Sequence, residues 1–190
     1  MPGFESQSES AADRSLARGW LDAVADTEIA RELEAIYSEV ATEITMRGPS
    51  CWASGRCCNF AKTRHLLYVT GLEAAYTVAS RRTAERATLE ANQVQQRSST
   101  IPVVGVTLTQ VAAARERGDC PYLEGNMCGA HTIKPLGCRV YFCDQNAQEW
   151  QQELSERALL RIRAMHDAHR IEYRYGEWRS MLETVLSCEG

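Results

Sequence analysis

Seven of the eight cysteines lie in two short parts of the chain. The first part, "CWASGRCC", contains Cys51, Cys57 and Cys58. The second part, over residues 120–143, contains the other four: Cys120, Cys128, Cys138 and Cys143. Thiolates are soft, anionic ligands that bind zinc, copper(I) and iron–sulfur clusters. If the fold brings the two parts together, the sequence predicts one metal centre that both of them ligate.

The adjacent pair Cys57 and Cys58 bears on the kind of metal centre. Successive side chains point in different directions, so two neighbouring cysteines do not easily bind one tetrahedral ion, whereas each can bind a different iron of one cluster. The paired Cys-x2-Cys motifs of a zinc ribbon are absent from the sequence. Seven clustered thiols also exceed the four that one zinc ion uses. These observations favour an iron–sulfur cluster over zinc.

The rest of the composition favours metal chemistry over disulfide bonds. The N-terminus lacks the basic and apolar regions of a secretory signal, and we expect a cytoplasmic protein, in which thiols stay reduced. A thiol switch or a disulfide scaffold is the alternative. The formal net charge of −4 gives no general attraction to nucleic acid. We expect no nucleic-acid or membrane partner, and the sequence leaves a protein partner open.

Two further residues of the second part are candidates for the site. His131 lies inside the cysteine loop, where an imidazole nitrogen could serve as a metal ligand. Arg139 lies between a cysteine and an aromatic residue, and we expect it to contact the bound cofactor by donating hydrogen bonds to sulfur. The sequence predicts a solvated surface position for the three other nearby cations: Arg56, Lys62 and Lys134.

The stretch "CPYLEGNMCGAHTIKPLGCRVYFC", with a "CC" pair some sixty residues before it, resembles the YkgJ-type cysteine-cluster family, described as a zinc- or iron-chelating domain. The resemblance covers residues 51–143. Three positions depart from the family pattern: the spacing after Cys51 is wider, His131 stands where tyrosine is common, and Lys134 replaces an arginine. The positions that match are Cys57, Cys58, Cys120, Pro121, Leu123, Cys128, Pro135, Cys138, Arg139 and Tyr141, with Cys51 as the counterpart of the leading cysteine.

The resemblance also implies a cofactor and an activity. The best-defined relatives of the family are similar to flagellin lysine N-methylases, which associates the cysteine domain with a four-iron four-sulfur (4Fe-4S) cluster and with methyl transfer. The sequence shows no Gly-rich strand-to-helix loop that would bind S-adenosylmethionine. Three classes therefore stay open: an iron–sulfur redox or methyl-transfer enzyme component, a structural zinc-chelating interaction module, and a thiol switch. No catalytic residue is assigned.

Helices must position these cysteines. Apolar residues at helical spacing after Thr27 predict an amphipathic helix that ends at Gly48, and others predict a long helix after Asp144 and a final helix after Gly176. Between them, proline and glycine over residues 120–143 leave room only for loops and short turns. Thr70 with Glu73, and Thr107 with Gln110, match the capping box that begins a helix.

The predicted fold class is accordingly mainly α. We expect a single helical domain over residues 25–190, with two cysteine-rich loops braced around the metal centre. The polar, Ser- and Glu-rich beginning of the chain predicts a disordered or loosely attached segment over residues 1–24.

Overall fold

A computed structural model of the chain describes four stretches: residues 3–49, 55–93, 105–141 and 147–188. Side chains are not described at 3–10 and 88–93. The described residues form eight α-helices, four short strands and a 3-10 turn at Arg56–Cys58. The helices are α1 (Gly3–Ala25), α2 (Thr27–Arg47), α3 (Phe60–Thr63), α4 (Gly71–Gln93), α5 (Leu108–Arg117), α6 (Leu136–Val140), α7 (Gln148–Ala168) and α8 (Trp178–Ser187). The strands are β1 (Tyr68–Thr70), β2 (Leu123–Glu124), β3 (Met127–Cys128) and β4 (Tyr175–Glu177).

The predicted mainly helical fold is confirmed, and α2 and α5 begin and end at the signals in the sequence. Asp26 caps α2, because its side chain accepts a hydrogen bond from the Glu28 backbone N–H, and Gly48 ends the helix in the left-handed conformation. Thr107 forms the expected capping box at the start of α5. None of the helices in the described part of the chain is long and apolar enough to cross a membrane.

Helix α1 covers most of residues 1–24, for which the sequence predicted a disordered or loosely attached segment. Its second half contributes Leu16 and Trp20 to the core, and the Trp20 indole Nε1 donates a hydrogen bond of 2.8 Å to the Glu172 carbonyl oxygen. Gly71 makes room for this indole, since a Cβ at that position would lie 2.2 Å from the ring. Few apolar residues of α1 face the core, and polar residues surround them in the sequence. The amphipathic pattern is therefore weak, and the packing of α1 is visible only in its contacts with other helices.

Two hydrophobic clusters fill the interior. The first joins α1, α4 and α8 with the cysteine-bearing segments and includes Trp20, Cys58, Cys120 and Trp178. The second joins α2 and α7 and covers the inner side of α6. Strands β1 and β4 pair antiparallel, with Val69 opposite Gly176, so the chain before α4 and the chain before α8 are tied together. The cysteine-bearing segments therefore rest on a helical scaffold contributed by both ends of the chain.

Candidate metal centre

A cavity of about 300 Å³ lies where the two cysteine-bearing segments meet. Apolar side chains form much of its wall, including Phe60, Leu67 and Met127. Five free thiols from both segments also line it: Cys57, Cys58, Cys120, Cys128 and Cys138. Thiols more than sixty positions apart in sequence thus share one cavity.

A tight backbone contact holds the first segment against the second. The Cys120 backbone N–H donates a hydrogen bond of 2.8 Å to the Cys58 carbonyl oxygen. Gly55 precedes the 3-10 turn with φ of +63°, and a Cβ there would lie 2.6 Å from the Asn126 carbonyl oxygen. Only glycine combines this left-handed conformation with such a close approach of two backbones. Gly55 therefore lets the first cysteine segment lie directly on the second.

The end of α5 forms a second contact between the segments. Gly118 ends this helix with φ of +72°, and its carbonyl oxygen accepts a hydrogen bond of 2.8 Å from the Ala61 backbone N–H of α3. A Cβ at Gly118 would lie 2.8 Å from the Ala61 Cβ. Since Cys120 follows two residues later, this contact brings its thiol beside the first segment.

A small hairpin positions Cys128. Strands β2 and β3 pair antiparallel with Leu123 opposite Cys128, and Gly125 makes the turn with φ of +62°. Past β3, the Gly129 backbone N–H donates a hydrogen bond of 2.8 Å to the Tyr122 carbonyl oxygen. The hairpin was not predicted from the sequence, where the many glycines and prolines of this region indicated loops and turns alone.

The buried carboxylate of Glu73 fixes the segment that carries Cys138. Its Oε1 accepts hydrogen bonds from the Leu136 backbone N–H at 2.7 Å and from the Tyr37 hydroxyl at 3.0 Å, while Oε2 accepts from the Thr70 backbone N–H at 2.9 Å. The sequence indicated Glu73 as a helix cap. Its contact with Leu136 could not be predicted, because the two residues are 63 positions apart.

The thiols of the cavity differ in pKa. Hydrogen bonding to Cys120, Cys128 and Cys57 raises the pKa of Cys58, so this thiol keeps its proton. The hydrogen bond with Cys58, together with the charge of Lys134, lowers the pKa of Cys57 to about 6. Hydrogen bonding to Cys58 likewise lowers the pKa of Cys128 to about 7. The cavity therefore contains sulfur atoms that become thiolates close to neutral pH.

Two residues beside the thiols suit anionic sulfur. Lys134 lines the cavity, contrary to the solvated surface position that the sequence predicted. The indole N–H of Trp178 is buried without a hydrogen-bond partner that meets normal geometry, yet its proximity helps to lower the pKa of Cys120. The larger cause of that lowering is the hydrogen bond with Cys58. A thiolate accepts a hydrogen bond more strongly than a thiol does. The buried indole N–H is therefore suited to donate to a Cys120 thiolate.

Cys138 has a different environment. Its side chain is partly buried, and desolvation raises the pKa of its thiol well above the ordinary value, with the other cysteines adding to the effect. Such a thiol stays protonated at neutral pH unless a cation displaces its proton.

The other predicted site residues lie in different places. Cys51 and Cys143 lie outside the described residues. His131 lines the cavity, and the charge of Lys134 lowers its pKa, so the imidazole is neutral as a metal ligand must be. Arg139 was expected to contact the cofactor, but its guanidinium lies 4.1 Å from the centre of the Tyr37 ring and is not among the groups that line the cavity.

The thiols are arranged by hydrogen bonds among themselves. Within the described stretches, no group of three or more His, Cys, Asp or Glu side chains is placed so that it could hold a metal ion. Instead, Cys58 forms hydrogen bonds with Cys57, Cys120 and Cys128. Coordination requires that the thiols lose their protons and that their side chains turn toward a common point.

Comparison with known proteins adds no further constraint on the site. No family model, curated protein or solved structure matches this chain.

Proposed function

We propose that this protein binds a metal centre of the YkgJ type through thiolates from its two cysteine-bearing segments. The observation that supports the proposal is the single cavity lined by five thiols, two from the first segment and three from the second. A chance grouping of cysteines in a helical core gives no reason for thiols near the 3-10 turn, the hairpin and α6 to face one space. Ligation of a common metal centre explains why these thiols line one cavity. It also explains why the backbones at Cys58 and Cys120 lie in close contact.

We propose an iron–sulfur cluster, of the four-iron four-sulfur kind, as the centre. The cavity of about 300 Å³ is several times the ~30 Å³ that one water molecule occupies in the liquid, so it exceeds what a single ion needs. Its apolar walls suit a cluster, whose potential depends on the exclusion of water and on hydrogen bonds to sulfur. Bound here, the cluster would supply one-electron transfer.

Zinc is the second candidate, and one observation favours it. Cys58 interacts through hydrogen bonds with Cys57, Cys120 and Cys128, which makes a connected set of four thiols, although it includes the adjacent pair Cys57 and Cys58 that the sequence disfavours for one tetrahedral ion. Four thiolates are what a structural zinc site uses. A zinc ion would act as a cross-link between the two segments, and the protein would then be an interaction module with no chemistry at the metal.

The two metals correspond to two of the three functional classes that the sequence leaves open. With a cluster, the chain is a component of a redox or methyl-transfer enzyme, and with zinc it is a structural chelating module. Metal and sulfide analysis of protein purified without air separates them. We expect iron and sulfide in equal amounts, near four of each per chain, and absorbance near ~400 nm. One zinc per chain without sulfide would assign the structural site instead.

Variants test whether the cavity is the site of the metal. Cys57→Ala removes an exposed thiol whose loss costs little packing, and Cys120→Ala removes a buried one. We expect both variants to lose most of the metal. Cys188→Ala is the matched control, because Cys188 is a free, buried thiol that does not line the cavity. Full metal content in Cys57→Ala and Cys120→Ala, or protein with neither iron nor zinc, would refute the proposal.

A further inference from the structure

An open cleft of about 640 Å³ adjoins the cysteine cavity. The two share Leu67 and Tyr141 in their walls. The volume lies in the range of sites for small molecules, ≈ 300–1,000 Å³. A ligand in the cleft would therefore lie next to the cysteines.

Positive charge dominates one part of the cleft. Arg56 and Lys62 are exposed at its wall, and neither forms an ion pair with another residue in the described stretches. No Asp or Glu is among the described residues that line the cleft. His65 also lies there, stacked on Tyr141 with ring centroids 4.4 Å apart, and burial lowers its pKa so that it is uncharged at neutral pH. In the described lining, these two cations have no ion-pair partner, and such cations attract an anion.

Aromatic rings form another part of the cleft. Tyr68 of β1 and Tyr175 of β4 line it, and each is 46% exposed. Their rings stack with centroids 6.0 Å apart and an angle of 28° between the planes. Large exposed rings that face a cleft offer a flat apolar surface on which a planar group can pack.

The first turns of α7 complete the wall with neutral polar groups. Gln148 and Gln151 line the cleft with amide groups that both donate and accept hydrogen bonds. A groove that binds a protein helix is mainly apolar, whereas this cleft is lined by two cations, amides and exposed rings. It has the mixture of a broad contact surface and a few polar groups that orients a small molecule.

We propose that this cleft binds a small organic anion, made of a planar ring and a carboxylate or phosphate group. Arg56 and Lys62 contact the anionic group, and Tyr68 and Tyr175 contact the ring. The cleft is formed by residues outside the set of thiols, so binding does not depend on the identity of the metal. Because the cleft adjoins the cysteine cavity, such an anion would lie beside the metal centre of the proposed function.

Calorimetric titration of the full chain tests the proposal with three probes: phenyl phosphate, benzoate and inorganic phosphate. We expect saturable binding of one ring-bearing probe per chain, weakened by added salt because charges are involved. Tighter binding of phenyl phosphate than of benzoate assigns a phosphate ligand, and the reverse assigns a carboxylate. Absence of binding of both ring-bearing probes at millimolar concentration would overturn the proposal.

Variants identify the contacts. Arg56→Gln and Lys62→Gln should each weaken phenyl phosphate binding about 1.5- to fivefold, the range of an exposed ion pair. Tyr175→Leu should weaken phenyl phosphate about two- to tenfold and leave inorganic phosphate unchanged.

The matched control is Arg64→Asn, which removes an exposed charge two residues from Lys62 but outside the cleft lining. Asparagine tolerates the left-handed backbone at this position, where φ is +54°. Equal loss of binding in Arg64→Asn and Lys62→Gln would mean general attraction by charge and would overturn the proposal. Metal content measured on the same samples shows separately whether the proposed function holds.

Discussion

Replacement of Glu73 by glutamine tests how the scaffold positions the cysteines. The carboxylate is buried, with two donors on each oxygen: Oε2 accepts from the Thr70 N–H and hydroxyl, and Oε1 accepts from the Tyr37 hydroxyl and the Leu136 N–H. Glutamine keeps the shape of the side chain and replaces one oxygen by an NH2 group. In either orientation that NH2 faces one of the two backbone N–H groups.

The structure gives the size of the effect. A hydroxyl can rotate and accept from the new NH2 group, whereas a backbone N–H cannot, so either Thr70 N–H or Leu136 N–H loses its only acceptor among these contacts. A buried donor left without a partner costs about 1–3 kcal/mol, and the remaining hydrogen bonds lose the strength that the charge adds. We expect Glu73→Gln to lower the free energy of unfolding by about 2–4 kcal/mol.

Chemical denaturation measures this change. The control is Glu34→Gln, since the Glu34 carboxylate also accepts a hydrogen bond from a tyrosine hydroxyl, Tyr76 at 2.8 Å, but lies exposed on α2. Its effect should stay within about 0.5 kcal/mol. If Glu73→Gln is as stable as the Glu34 variant, the buried carboxylate does not fix the segment at Leu136, and the account of how Cys138 is positioned is refuted.

Two other predictions concern the cysteine segments. Gly55→Ala should lower the free energy of unfolding by about 1–3 kcal/mol more than Gly125→Ala in thermal or chemical denaturation, because both glycines have φ near +60° but only Gly55 faces the Asn126 carbonyl oxygen. Equal losses of stability in the two variants would contradict the close approach of Gly55 to the Asn126 carbonyl oxygen. In metal-free protein, alkylation of Cys57 by iodoacetamide should rise with pH around a midpoint of about 6, because hydrogen bonding to Cys58 and the charge of Lys134 stabilise its thiolate. Peptide mass mapping across pH would contradict this if the midpoint lay near 9.

Several helices were predictable because local signals determine them. The amphipathic spacing after Thr27, the cap at Asp26 and the stop at Gly48 all lie within a few residues of the structure they specify. The capping box of Thr107 with Gln110 is equally local. Such signals act through the backbone of their own segment, so they survive in a single sequence.

The placement of the site residues was only partly predictable. The sequence predicted two cysteine-rich loops at one site, and the segments that carry Cys58 and Cys120 are in contact. The sequence contained no signal for the partner of Glu73, and it could not show that Lys134 faces the thiols while Arg139 packs on an aromatic ring. These placements depend on contacts between distant segments, which residue type and local spacing do not determine.

X-ray absorption at the metal edge of protein isolated without air tests the central claim most directly. If thiolates of the cavity hold the metal, sulfur atoms should surround it at about 2.3 Å, the distance typical of zinc–thiolate bonds. A further iron shell would identify the cluster. A bound metal surrounded by oxygen and nitrogen alone would contradict the account, as would protein that contains no metal at all.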